Sequence, residues 1–415
     1  MLKEDDGVVY LYNSFSGALC KLEKDVHNNI VYNLLSDTNK CDHFDELLKQ
    51  GFIKPADLDE YNKIVLNERT AVLAGNRNSL TYVLVPTLAC NLKCEYCFEN
   101  GYRNGKIISD EKLSEVVNHI LSRTNTEIKE IHISWFGGEP LIAYDKIVKF
   151  SELLIPQLQK KQIIYHSSMI SNGILLTPEK AKILSEVCKV KQIQITVDGT
   201  KEVYCARKHA TPKQFEDLFK NIYKALEYVK ISIRLNCDGN NYDDLKAITK
   251  QLLDYCENNK DLSIYLAKLV DYMGCGGPQF FSQDIFDNKR IEFDKYVSEL
   301  QGKHYKPRIH KYHKSFCGLF KLNNLVVGPD GELYKCEHHV GQVDKIIGDI
   351  NFGLYYNDFL MRFIENKPQE QCKSCKIFPI CLGGCPAQKF DLPQNKSCFY
   401  SESYIKQIVE RYIKD

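Results

Sequence analysis

Six apolar runs separated by amphipathic stretches constrain the fold of this chain more than any other feature. The runs are "LTYVLVP" from residue 80, then "EIHISWFG", "IIYHSSMISNG", "IQITVDG", "ISIRLNCD" and "LSIYLAKL". Apolar residues recur at helical spacing around residues 110–123, 145–160, 178–188, 213–229, 242–257 and 287–301. Strands alternating with helices predict a parallel sheet. Six such units suit an open, partial barrel or a doubly wound sheet. In a barrel, functional groups gather on the loops after the strand C-termini. Here "ACNLKC", "GGEP", "SNG" and "DG" follow the first four runs in turn.

Two flanking regions break this rhythm. In residues 1–75, "GVVYLYNSFSGALCKLE" predicts two short strands around a Ser-Gly turn, and "KDVHNNIVYNLLS" and "HFDELLKQGFI" predict helices. A strand pair with helices suggests a winged-helix-like module. From residue 310 to 400 periodicity weakens and apolar sequence is too sparse for a sizeable core, so metal crosslinks are expected to hold that segment. A helix is expected over 401–415.

The charge balance, 55 basic against 54 acidic residues, gives no electrostatic reason to bind nucleic acid or an acidic membrane. The first residues lack the apolar core of a signal peptide. No apolar run approaches the roughly 20 residues that span a bilayer. The expectation is a cytoplasmic protein. Seventeen cysteines are then many, because disulfides are disfavoured in that compartment and dense cysteine patterns there mark metal or redox chemistry. Cys20, Cys41, Cys188, Cys205, Cys237 and Cys256 stand alone and read as small buried hydrophobes. The others cluster.

Cys90, Cys94 and Cys97 fall in "LACNLKCEYC" with the spacing C-x3-C-x2-C. Three thiolates on a short loop can hold three irons of a four-iron cluster and leave the fourth open. With Tyr96 before the last cysteine and the loop after the first strand of a strand–helix series, the sequence resembles the radical S-adenosylmethionine (radical SAM) superfamily. The resemblance implies a SAM-binding 4Fe-4S cluster that cleaves SAM reductively to a 5′-deoxyadenosyl radical. It also assigns SAM contacts: Gly137, Gly138 and Glu139 of "FGGEP", Ser171 and Asn172 of "SNG", and Asp198 of "VDG". Glu139 would pair with the SAM amino group. Arg207 and Arg234 are candidates for its carboxylate, and Tyr96 for the neighbourhood of the adenine.

Further on, "CKSCKIFPICLGGC" has the spacing C-x2-C-x5-C-x3-C, preceded by Cys317 and Cys336 and followed by Cys398. A zinc ribbon accounts for four of these cysteines and not for seven. The order resembles the SPASM domain that extends many radical SAM enzymes. That resemblance implies two auxiliary 4Fe-4S clusters, three in all. Cys372, Cys375, Cys381 and Cys398 would hold the outer one, and Cys317, Cys336 and Cys385 the inner one. Asn323 stands where the sulfatase-maturating branch has another cysteine. Two alternatives are open for the inner cluster: an open iron, or Cys275 as fourth ligand.

The fold expected from both resemblances is α/β: a partial (β/α)6 TIM-like barrel over 80–305, a winged-helix-like module before it, and a cysteine-rich SPASM domain over 310–400. SPASM enzymes modify peptides or proteins. One branch matures ribosomally made precursor peptides, with thioether or carbon–carbon crosslinks as in sactipeptides and ranthipeptides. The other oxidises a sulfatase residue to formylglycine. Two features favour the peptide branch. About 80 residues precede the cysteine loop, resembling the leader-binding modules of peptide maturases. Sulfatase maturases carry a catalytic aspartate after the residue equivalent to Cys336, whereas Glu337 stands here, followed by His338 and His339. Glu337 is the candidate base. The implied partners are a precursor peptide with a leader and a flavodoxin- or ferredoxin-type reductant. A non-catalytic iron–sulfur electron carrier or peptide-binding scaffold is the reading of another class, which the SAM-site motifs oppose.

Overall fold

The computed structural model describes residues 2–5, 7–35, 43–272, 280–313, 317–392 and 397–414. The chain opens with a three-stranded antiparallel sheet, β1 (Leu2–Asp5), β2 (Val8–Tyr12) and β3 (Leu19–Glu23). The last two are the expected pair. β1 is additional, hidden in the sequence by the acidic residues that strands usually avoid. The expected helices follow as α1 (Lys24–Leu35) and α2 (Phe44–Lys49). A further helix, α3 (Glu60–Ala74), starts at Asp59, whose side chain accepts from the Asn62 amide.

The six expected strands are β4 (Ser79–Leu84), β5 (Glu130–Trp135), β6 (Ile164–Ser171), β7 (Val190–Thr196), β8 (Lys230–Cys237) and β9 (Leu262–Lys268). They pair in parallel and in sequence order. Their helices are α4 (Asp110–Ser122), α5 (Tyr144–Lys160), α6 (Pro178–Glu186), α7 (Lys201–Lys208), α8 (Pro212–Ala225), α9 (Tyr242–Tyr255) and α10 (Gln283–Leu300). Sequential order with right-handed crossovers puts these helices on one face of the sheet. The strands alternate accordingly. Ile131, Ile133 and Trp135 bury against α4 and α5, with Trp135 edge-on to Phe150 at 5.1 Å, while Glu130, His132 and Ser134 face the concave side.

The cysteine-rich segment contributes strands that its weak periodicity concealed. β10 (Leu325–Val327) pairs in parallel with β4, and β11 (Glu332–Tyr334), β12 (Gly348–Asp349) and β13 (Gly353–Leu354) continue as an antiparallel meander. The sheet thus reaches ten strands, and the segment's small core is borrowed from the barrel edge. The expected C-terminal helix is Glu402–Lys414, packed on α10.

On α10, burial pushes the Asp294 carboxyl from 3.8 up to about 6, with Arg290 pulling the other way. Between these values the unfolded chain releases a proton that the folded chain keeps, so this group costs stability as pH rises from about 4 to about 6. Asp294→Asn is expected to gain at most about 3 kcal/mol over wild type at pH 7 and almost nothing at pH 4, read from urea midpoints at the two pH values.

Candidate functional site

The three-cysteine loop leaves β4 and turns back along the concave face. Two glycines after β5 hold it there. A Cβ on Gly138 would lie 2.3 Å from the Ala89 carbonyl oxygen, and one on Gly137, at φ +130°, 2.3 Å from that of Thr87. The amides of Gly138 and Glu139 donate to Thr87 and Ala89. The glycines therefore permit close approach of the cysteine loop itself while also bordering the cavity beside it. Gly138→Ala is expected to cost roughly 1–3 kcal/mol by displacing this loop, and to lower iron retention by the purified protein.

Glu139 is fully buried. Its carboxylate accepts from the Leu141 amide at 3.0 Å, Ser171 Oγ at 2.9 Å and the Asn172 amide at 2.7 Å. Burial raises its pKa, and these bonds oppose the rise. Glu139, Ser171 and Asn172 thus form one unit that ties the ends of β5 and β6. The Asn172 side chain then donates to Asn91 within the cysteine loop at 2.7 Å.

Across the cavity, Asp198 at the end of β7 is wholly buried and accepts from the Tyr96 hydroxyl and the Asn236 amide. Lys208, 2% exposed, lies 3.3 Å from Asp198 and donates to Tyr96 at 3.2 Å. Burial pulls the Lys208 pKa down, but Asp198 and Cys94 outweigh it and the net shift is upward. Arg207 turns away to the buried Asp238 at 2.7 Å and lies over the Tyr96 ring, its centre 5.5 Å off. Arg234 borders the cavity and donates to Asn236 at 2.9 Å. Of the two candidate arginines, then, Arg234 faces the cavity and Arg207 is committed to a carboxylate.

The cavity has a volume of about 330 Å³, within the range of small-molecule sites. Cys90, Cys94 and Cys97 border it. Arg103 donates to Cys97 Sγ at 3.1 Å. Burial pushes the Cys90 thiol up to about 11 and the Glu99 carboxyl up to about 7. Glu99 Oε1 is itself buried and has no hydrogen-bond partner among the described residues. Glu337 and His338 border the same cavity. The His338 ring stacks on Phe98 at 4.0 Å and meets Tyr272 edge-on at 4.5 Å. Burial drives the His338 pKa down to about 3 and raises that of Glu337, which Arg234 opposes.

Behind Glu337 the remaining cysteines fall into two sets. Cys317, Cys336 and Cys385 interact electrostatically with one another, and so do Cys372, Cys375, Cys381 and Cys398. Gly384, at φ +85°, lets the Ser397 carbonyl press on its backbone, and Cys398 comes beside Cys381. α3 covers the second set, with Ile64 against Cys372 and the Tyr61 ring 4.8 Å from Phe378. Among the described residues, no three of these thiols lie within 4.8 Å of one another. Asn323 faces away, paired through its amide with the Asn76 backbone at 3.0 and 2.8 Å. Cys275 lies outside the described residues.

Lys208, Glu99, Arg103, Asn236 and Tyr272 escaped the sequence reading. Lys208 lies on α7, a helix of eight residues too short to show a period. Glu99 and Arg103 follow the cysteine loop closely, and that proximity was the available signal.

A profile of the radical SAM superfamily matches residues 84–252. The cysteine-type anaerobic sulfatase-maturating enzyme of Clostridium perfringens is 26% identical over 348 residues, 71% of this chain and 85% of that protein. The radical SAM cyclopropyl synthase TigE of Paramaledivibacter caminithermalis is 24% identical over 443 aligned positions, 92% of this chain and 87% of that one. The solved structure of Streptococcus suis SuiB bound to precursor peptide SuiA shares the fold, with TM-score 0.55 and 15% identity over 98% of this chain and 100% of that chain. The three-cysteine loop after β4 lies within residues 84–252, a radical SAM domain, and the curated relatives that align across it are enzymes.

Proposed function

We propose that the enzyme matures a ribosomally made precursor peptide, removing hydrogen from one of its carbons and installing a crosslink, a thioether to a cysteine. The observation that carries this reading is the single cavity running from Cys90, Cys94 and Cys97 to Glu337 and His338, next to Cys336. A peptide side chain placed there would stand between two cysteine sets. The SAM-bound 4Fe-4S cluster would supply a carbon radical able to take a hydrogen atom. Tyr96, Asp198 and Lys208 would fix one wall of the SAM site, and Arg234 would meet its carboxylate. Phe98, Tyr272 and His338 would hold the substrate side chain away from water. Glu337, which lines the same cavity, would be the base.

Cys317, Cys336 and Cys385 would hold an inner auxiliary cluster, and Cys372, Cys375, Cys381 and Cys398 an outer one. With the opening loop this gives three, and the outer set would exchange electrons with a flavodoxin- or ferredoxin-type protein. The first three strands would bind the leader as an added strand on the free edge of β3. Alignment of TigE over 92% of this chain and of SuiB over 98% supports this.

A second reading, oxidation of a sulfatase cysteine to formylglycine, is favoured by the identity to the Clostridium perfringens enzyme. Anaerobic incubation of the reconstituted enzyme with SAM, a reductant and a co-encoded cysteine-containing peptide separates them. The expected result is a peptide lighter by a pair of hydrogens per crosslink, with its sulfur retained. Loss of sulfur from a sulfatase-derived peptide would favour the second reading. SAM cleavage with every peptide unchanged would overturn the first.

A further inference from the structure

Away from the cavity, three side chains converge on the concave face of the sheet. Glu130 and His132 are two residues apart on β5 and so point the same way. His166 on β6 is the register partner of His132. The imidazoles stack with centroids 4.6 Å apart, and Glu130 Oε2 lies 3.3 Å from His132 Nε2 and 3.9 Å from His166 Nε2. One ligand atom from each residue falls within 4.8 Å of the other two. On β6, His166, Ser168 and Ile170 share a face, and Ile170 borders the cavity. The cluster therefore lies about 13 Å toward the N-terminal ends of the strands, from four residues at the strand rise. It is separate from every cysteine set.

Two strands held in register present these three donors without rearrangement of the backbone. All three side chains are between 41% and 46% exposed, so an ion could enter and keep water as a further ligand. Two imidazoles and a carboxylate suit a borderline divalent ion, and the set is that of zinc sites with an open position. Soft thiolates are absent from it, so it would not compete for cluster iron and sulfide.

We propose that Glu130, His132 and His166 form a divalent-metal site, able to hold zinc, that clasps β5 to β6 at the end of the barrel remote from the radical chemistry. No residue of the proposed SAM or cluster sites takes part, so the proposal stands whether or not the peptide reading does.

The test uses the cluster-loaded enzyme, dialysed anaerobically against micromolar zinc chloride and analysed for zinc and iron together. Wild type is expected to retain one zinc per chain that His132→Ala/His166→Ala does not, with equal iron in both. Glu130→Gln, isosteric and safe for the fold, is expected to weaken zinc uptake by at least about tenfold, since even outer partners of metal ligands contribute that much. The zinc-edge X-ray absorption spectrum of wild type is expected to show nitrogen and oxygen donors at about 2.0–2.2 Å. Equal zinc in wild type and both variants would overturn the proposal. So would sulfur donors at about 2.3 Å, which would place the ion among the cysteines.

Discussion

Replacing Cys90, Cys94 and Cys97 together by alanine is expected to lower iron from about twelve to about eight per chain and to abolish reductive cleavage of SAM. The three thiols are the only cysteines among the described residues that border the cavity. The two downstream sets are held by other elements, the loops around β10 and β11 and the turns from Cys372 to Cys398. Their iron should therefore survive the triple change. Iron and sulfide analysis after anaerobic reconstitution, with product analysis for 5′-deoxyadenosine, reads both effects. Unchanged iron would remove the opening loop from the list of cluster sites. About four irons in wild type, with zinc in the tail, would sink the two auxiliary clusters and the crosslinking chemistry that uses them.

Lys208→Met is expected to destabilise the protein by about 3–5 kcal/mol, because it leaves Asp198 as an uncompensated buried charge. Asp198 is fully buried, and its remaining described partners are Tyr96 and the Asn236 amide. The double variant Asp198→Asn/Lys208→Met removes both charges and should recover much of the loss. Urea unfolding of the three proteins measures this directly. A double variant as unstable as the single one would mean that Lys208 acts through packing against Tyr96 and Tyr204 and not through charge. SAM affinity should fall in both variants, since Tyr96 loses the Lys208 hydrogen bond in each.

The barrel was legible because each strand and most helices repeat a clear apolar period over ten residues or so. Strand boundaries fall within about three residues of the expected ones, as β5 at Glu130–Trp135 illustrates. β1, α3 and α7 were not legible. β1 is acidic, α3 carries little amphipathic contrast, and α7 is short. The candidate site divides the same way. Cysteine spacing survives in sequence because ligands of one centre sit on short loops. The Asp198–Lys208 pair and the face shared by Glu99, Tyr272 and His338 join residues far apart in the chain.

Alone, the sequence determined the parallel α/β architecture and the grouping of ten cysteines into a loop and a tail, since period and spacing are local properties. Only the tertiary structure decided where the polar groups point. Glu139 turns into a knot with Ser171 and Asn172, and Arg207 goes to Asp238 while Arg234 faces the cavity. Buried charges take the partner that folding brings within reach, and that choice depends on contacts between segments that no local pattern records.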